Sequence, residues 1–91
     1  MLIKFFTKCD CPRCPAAKKL ISDLRIANRD LRIEEFDVNT VDGLAEAAFY
    51  SVMSTPSIII CDDDGKEAAG WRGETPTVKN LELKIKNLVK N

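Results

Sequence analysis

The amino-acid sequence predicts an α/β fold, a four-stranded mixed sheet with three helices on its two faces, in the order β-α-β-α-β-β-α. Three observations lead there. Short apolar runs of strand character alternate with stripes of 3.6-residue period, the rhythm of β-α-β crossovers. Asp62-Asp63-Asp64-Gly65-Lys66 reads as a hairpin turn between the last two strands, with Gly65 to take a positive φ. A Thr75-Pro76 helix start then brings a last helix over the sheet. With 45% apolar and 31% charged residues in 91 positions, the composition is that of one globular domain spanning residues 1–91.

Each element has its own warrant. Leu2 to Thr7 form a short, mostly buried strand. From Cys11-Pro12 a helix begins in which Ala17, Leu20, Ile21 and Leu24 face inward while Lys18, Lys19 and Arg25 face water, and Asn28-Arg29-Asp30 closes it. Leu31, Ile33, Phe36 and Val38 mark a second strand over residues 31–38, its alternation broken at Glu34-Glu35. Thr40 is the expected N-cap of a second helix whose buried stripe is Val41, Leu44, Ala45, Ala48 and Val52. After Ser54-Thr55-Pro56, the run Ser57 to Cys61 is a central strand, and Glu67 to Arg72 returns at the sheet edge. In the last helix, with Thr75 as N-cap and Pro76 at its first position, Val78, Leu81, Ile85 and Leu88 face inward. Lys79, Lys84, Lys86 and Lys90 face outward.

Charge and composition exclude several functions. Formal net charge is zero and the pI is 6.2, so a nucleic-acid partner is not expected, although residues 8–19 carry a local excess of three positive charges. The longest apolar run, Ile58 to Cys61, is far too short to span a bilayer, and Met1 to Thr7 lack the pattern of a secretory signal. Three of the four cysteines lie within six positions and cannot staple distant parts of the fold. A reducing, cytoplasmic setting is therefore expected, with the cysteines kept for chemistry.

That chemistry centres on Cys11-Pro12-Arg13-Cys14 at a strand-to-helix turn, a spacing that marks thiol–disulfide exchange. At a helix start, unpaired N–H groups and the dipole favour thiolate over thiol. Arg13 and Lys8 add positive charge, and Asp10 opposes them. Cys11 would attack a substrate disulfide, and Cys14, about one helical turn further and less exposed, would resolve the mixed disulfide. Pro12 fixes φ at the helix start, whereas Pro15 disfavours the helical region for Cys14.

The alternative is a metal-binding or metal-delivery module. With no histidine, a four-thiolate zinc site would need Cys61 beside Cys9, Cys11 and Cys14. Cys9 reads as a loop residue, a second resolving thiol or a regulatory one, and Cys61 as a buried inert thiol. Ser54-Thr55-Pro56 is either a plain helix stop or a cis-proline turn facing the cysteines. Trp71-Arg72-Gly73 is edge-strand surface or a border of the site. Asp62-Asp63-Asp64 is a solvated turn to which no metal is assigned.

On these residues the chain resembles the glutaredoxin/thioredoxin superfamily, nearer its small glutaredoxin-like redoxins. The resemblance spans essentially the whole chain and rests on Phe6-Thr7-Lys8 before Cys11-Pro12-Arg13-Cys14 and on Ser54-Thr55-Pro56 opening the third strand. It implies a thioredoxin-like fold, Cys11 as nucleophile, Cys14 as resolving thiol and Pro56 as a cis-proline. Pro12, Arg13, Lys8 and Thr55 would border a substrate peptide or glutathione. No cofactor is implied beyond the redox-active disulfide, with glutathione as a possible reductant. Implied partners are disulfide-containing proteins and a reductase or glutathione as electron donor, for a monomer. The chain departs from glutaredoxins in having Arg13 where an aromatic residue stands between the cysteines. It also carries Gly70-Trp71-Arg72-Gly73-Glu74-Thr75 in place of a Gly-Gly and acidic signature, so a dithiol protein-disulfide reductant fits at least as well.

Overall fold

The computed structural model describes residues 1–89. Its elements are β1 (Leu2–Thr7), α1 (Cys14–Ala27), β2 (Arg32–Asp37), α2 (Val41–Phe49), β3 (Ser57–Cys61), β4 (Glu67–Arg72) and α3 (Val78–Val89). The sheet is mixed, in the order β2-β1-β3-β4. β1 runs parallel to β2 and antiparallel to β3, and β4 is antiparallel to β3 at the outer edge. This is the predicted architecture. Among the described residues no helix is long and apolar enough to cross a membrane.

Alternation along the two inner strands sorts side chains into two layers. Ile3 and Phe5 of β1, with Ile58 and Ile60 of β3, face α1 and α3 and pack with Ala17, Leu20, Ile21, Leu24 and Leu81. Phe6, Ile59 and Cys61 face the other way and pack with Ala47, Tyr50 and Val52 on the α2 side. Covered on both faces, β3 has no polar alternation to show, and all five of its residues are buried. Each fully buried Ile, Leu or Phe contributes about 1.5–3 kcal/mol relative to exposure. Asn28 ties the α1 end to α3: its amide donates to the Leu24 carbonyl at 3.2 Å and to Glu82 at 3.0 Å.

Lys4 takes a core-facing position of the α2 layer. Its ammonium bonds Glu46 of α2 and lies 5.3 Å from the Phe36 ring centroid and 5.0 Å from that of Tyr50. The cation is thus paired and flanked by two aromatic faces, which offsets the cost of removing it from water.

Three expectations are corrected. First, α1 begins at Cys14, not at Cys11-Pro12, and Arg13 occupies the N-cap. Pro15 rather than Pro12 is the proline of the first turn, where a missing N–H leaves nothing unpaired. Second, α2 buries the opposite face from the one expected. Gly43 and Ala47 are its buried residues, whereas Val41 and Leu44 are 85% and 62% exposed and Ala45 and Ala48 face solvent. The helix lies so close to the sheet that a Cβ on Gly43 would sit 1.8 Å from the Asp37 carbonyl oxygen. Close approach selects small residues over large apolar ones. The helix also ends earlier, with Ser51 at φ 56°. Val52 N–H bonds the Ala47 carbonyl at 2.7 Å and Ser51 N–H that of Ala48 at 3.3 Å, a Schellman ending that buries Val52 beyond the helix. Third, α3 begins at Val78 with the Thr77 hydroxyl, not Thr75, accepting the Asn80 N–H at 3.1 Å. Its predicted inward stripe of Val78, Leu81, Ile85 and Leu88 is the one that packs on the core. Lys90 lies outside the described residues.

Candidate active site

The register of the sheet brings two loops to one end of it. β1 and β3 pair as far as Phe6↔Ser57. The chain therefore leaves β1 through Thr7-Lys8 at the same edge where it enters β3 through Thr55-Pro56. Beyond Thr7 the backbone makes two successive tight turns. Cys11 N–H donates to the Lys8 carbonyl, and Cys14 N–H donates to the Cys11 carbonyl, both at 3.3 Å. The second turn hands the chain to α1 with Cys14 as its first residue.

Cys11 and Cys14 are joined in a disulfide, their Cα atoms 5.3 Å apart, within the usual span of about 4.4–6.8 Å. Cys11 is 7% exposed and Cys14 2%. Pro12 and Arg13 are exposed in the turn between them, and Arg13 makes no side-chain cap to the helix. Lys8 is exposed on the loop ahead of the pair. The predicted neighbours of the cysteines on this loop are therefore all at the surface. The positive end of α1 begins at Cys14, so Cys11 stands on the turn ahead of it.

The second loop is anchored from below. The Thr55–Pro56 peptide bond is cis. Ser57, fully buried, donates its hydroxyl to the Ser54 carbonyl at 2.7 Å and accepts the Gly73 N–H at 3.2 Å. Gly73 N–H also reaches the Pro56 carbonyl at 3.0 Å. Gly73 has φ +72°, and a Cβ there would lie 2.6 Å from Ser54 Oγ. The loop between β4 and α3 thus grips the cis-proline loop through one hydroxyl and one glycine. The Thr55 hydroxyl is buried without a hydrogen-bond partner among the described residues. Gly73 is expected as a border of the site within Trp71-Arg72-Gly73, whereas Ser57 carries no sequence signal beyond a lone hydroxyl opening an all-apolar strand.

Trp71-Arg72-Gly73 divides between its two readings. Trp71 packs on the α1–α3 core. Arg72 turns away, bonding Glu67 at 2.9 and 2.5 Å and the Tyr50 carbonyl at 2.8 Å. The pairing holds the Glu67 carboxyl below its ordinary range, the Arg72 hydrogen bond outweighing burial. Gly73 alone borders the site. Cys9 is exposed, and its sulfur accepts from the Asn39 amide at 3.5 Å. Cys61 is buried at the far end of β3, paired in register with Leu2. Four residues along a strand from Ser57 is about 13 Å. The four-thiolate arrangement is therefore not assembled, and among the described residues no cluster of three His, Cys, Asp or Glu is placed to hold a metal.

Comparison with known proteins agrees with this geometry. The family model described as Thioredoxin domain matches residues 1–86. The chain is 36% identical to the "Probable Thioredoxin" of Archaeoglobus fulgidus over 62 residues, 68% of this chain and 67% of that one. It is 33% identical to the "Thioredoxin" of Methanocaldococcus jannaschii over 61 residues, 67% of this chain and 71% of that one. The fold superimposes on thioredoxin 1 of Thermosipho africanus with a TM-score of 0.79 at 23% identity, covering 99% of this chain and 96% of that one. Sequence likeness along nearly the whole chain, carried on the same fold, makes it a member of the thioredoxin family of thiol–disulfide oxidoreductases.

Proposed function

We propose that the chain is a dithiol protein-disulfide reductase in which Cys11 attacks and Cys14 resolves. The observation that supports the assignment is position: both cysteines are buried, but Cys11 stands on the turn ahead of α1 and Cys14 is the first residue of the helix. The reduced protein brings two thiols. The Cys11 thiolate attacks one sulfur of a partner's disulfide, forming a mixed disulfide and expelling the first partner thiolate. Cys14, deprotonated, then attacks the Cys11 sulfur, forming the Cys11–Cys14 disulfide and expelling the second partner thiolate. Two electrons and two protons pass to the partner. Lys8 and Arg13 supply positive charge beside the exchanging sulfurs. Pro12 shapes the exposed turn, while Thr55, ahead of Pro56, offers backbone groups to an extended partner segment.

The partners are disulfide-containing proteins in a reducing, cytoplasmic setting, and the protein works as a monomer. Re-reduction takes two electrons from a flavin-dependent reductase or from two molecules of glutathione. A turbidity assay of insulin reduction tests the reading, run with each reductant in turn. Turnover by the wild type and its loss in Cys11→Ser is the expected result. Wild-type turnover in Cys11→Ser would overturn the assigned nucleophile.

A further inference from the structure

The loop that brings Thr55 to the site is held at both ends by two consecutive residues. At its entry, where α2 stops, the Tyr50 carbonyl accepts from Arg72 Nη2 at 2.8 Å. At its exit the Pro56 carbonyl accepts from Gly73 N–H at 3.0 Å. Only residues 51–55 run between these two anchors. Ser51 opens the loop at φ 56°, a left-handed conformation that a non-glycine residue keeps only where its surroundings hold it. The Arg72 guanidinium is fixed in turn by Glu67, whose carboxylate takes Nη1 at 2.9 Å and Nη2 at 2.5 Å. Such a two-pronged, charge-assisted pair sets the plane of the guanidinium as well as its place. Gly70 leaves room for it: a Cβ there would lie 2.8 Å from both Arg72 Nη1 and Glu67 Oε2.

We infer that Arg72 is a positioning residue for partner exchange. Oriented by Glu67, it holds the Tyr50–Pro56 loop in the form in which Thr55 meets the partner segment. It acts through the Tyr50 carbonyl and not on the sulfurs. A loop already set in place need not be ordered when a partner arrives, so the cost of ordering it does not subtract from binding. The effect is confined to partners that use the loop. A small disulfide without a peptide backbone has nothing to lay against Thr55. The inference rests on the dithiol reading above, in which Thr55 offers backbone groups to an extended segment, and adds to it the residue that sets that loop.

The test compares three variants on two substrates, a disulfide-linked extended peptide and 2-hydroxyethyl disulfide. Arg72→Met keeps the apolar stem and removes every donor, Arg72→Lys restores a donor without the fork, and Glu67→Gln removes the charge that orients the guanidinium. Arg72→Met raises KM for the peptide about three- to tenfold at nearly unchanged kcat. The other two variants fall between it and the wild type. For 2-hydroxyethyl disulfide kcat/KM stays within about twofold throughout, since the sulfurs are untouched. Amide hydrogen exchange supplies a second readout. Ser51 and Val52, whose N–H groups bond the Ala48 and Ala47 carbonyls, exchange faster in Arg72→Met, while the β1 and β3 amides keep wild-type rates. Urea midpoints confirm that the variants fold, and if Arg72→Met unfolds, the peptide KM of Glu67→Gln decides. Equal losses on both substrates, an unchanged peptide KM, or a uniform rise in exchange across the sheet would each overturn the inference. A wild type that reduces neither substrate would instead overturn the dithiol reading, and this inference with it.

Discussion

The buried hydroxyl of Ser57 accepts the Gly73 amide hydrogen at 3.2 Å while donating its own to the Ser54 carbonyl at 2.7 Å. One side chain thereby ties the cis-proline loop to the loop ahead of α3. Ser57→Ala removes both bonds, though Gly73 N–H keeps the Pro56 carbonyl at 3.0 Å. A loss of about 1 kcal/mol is expected, which lowers the Tm by roughly 4–8 °C in a domain of this size. Gly73→Ala should cost more. An L residue at φ +72° adds about 1–2 kcal/mol of strain, and its Cβ displaces Ser54 Oγ. Thermal unfolding of both variants measures the order, and a Gly73→Ala protein as stable as the wild type would contradict it.

The seat of α2 is set by Gly43. A methyl group there meets the Asp37 carbonyl oxygen at 1.8 Å and its carbon at 2.5 Å, both backbone atoms that cannot rotate aside. Gly43→Ala should destabilise by roughly 3 kcal/mol, the upper end of overpacking costs. The same end of the helix is capped by Thr40, whose hydroxyl accepts the Gly43 N–H at 3.0 Å and donates to the Asp37 carbonyl at 2.7 Å. Thr40→Ala should cost about 1 kcal/mol. Urea titrations are expected to show lower midpoints at unchanged slope.

Lys4 and Glu46 set an alkaline limit on stability. Burial pulls the Lys4 ammonium down, but the Glu46 hydrogen bond and charge outweigh it, so its pKa lies above the ordinary 10.5. A raised value in the folded state means the contribution is fully present below pH 10.5 and is lost as pH climbs through the folded value. Glu46→Gln, at a half-open carboxylate, should cost about 1 kcal/mol at neutral pH and flatten the decline above pH 10.5. An unfolding series from pH 8 to 11.5 compares the slopes. Parallel curves for the two proteins would refute the pairing as the cause.

Element order and sheet type were legible in the residues because the periods change cleanly: alternating or apolar runs at 2–7, 31–38 and 57–61, and 3.6-residue stripes between them. The α3 stripe is legible because Val78, Leu81, Ile85 and Leu88 share one face, with Leu83 left exposed away from it. On α2 two stripes compete, Val41-Leu44-Ala45-Ala48 and Gly43-Ala47-Tyr50. Hydropathy ranks the first higher, but only the second allows contact with a sheet face already filled by Phe6, Phe36 and Val38. Helix starts slipped for a related reason. Two prolines, Pro12 and Pro15, and two threonines, Thr75 and Thr77, each satisfy the local rules, and the turn at Cys11–Cys14 and the bond to Asn80 N–H select between them. The cysteine pair needed no such arbitration, because its spacing alone allows a disulfide across the helix entrance.

The central claim is that the pair is directional, with Cys11 attacking and Cys14 resolving. Cys14→Ser, incubated with a disulfide-containing protein and analysed by intact mass and peptide mapping, tests it most directly. A stable mixed disulfide on Cys11, absent from Cys11→Ser, is the result the account predicts. A covalent adduct mapped to Cys9, or no adduct at all while the wild type turns over, would contradict it.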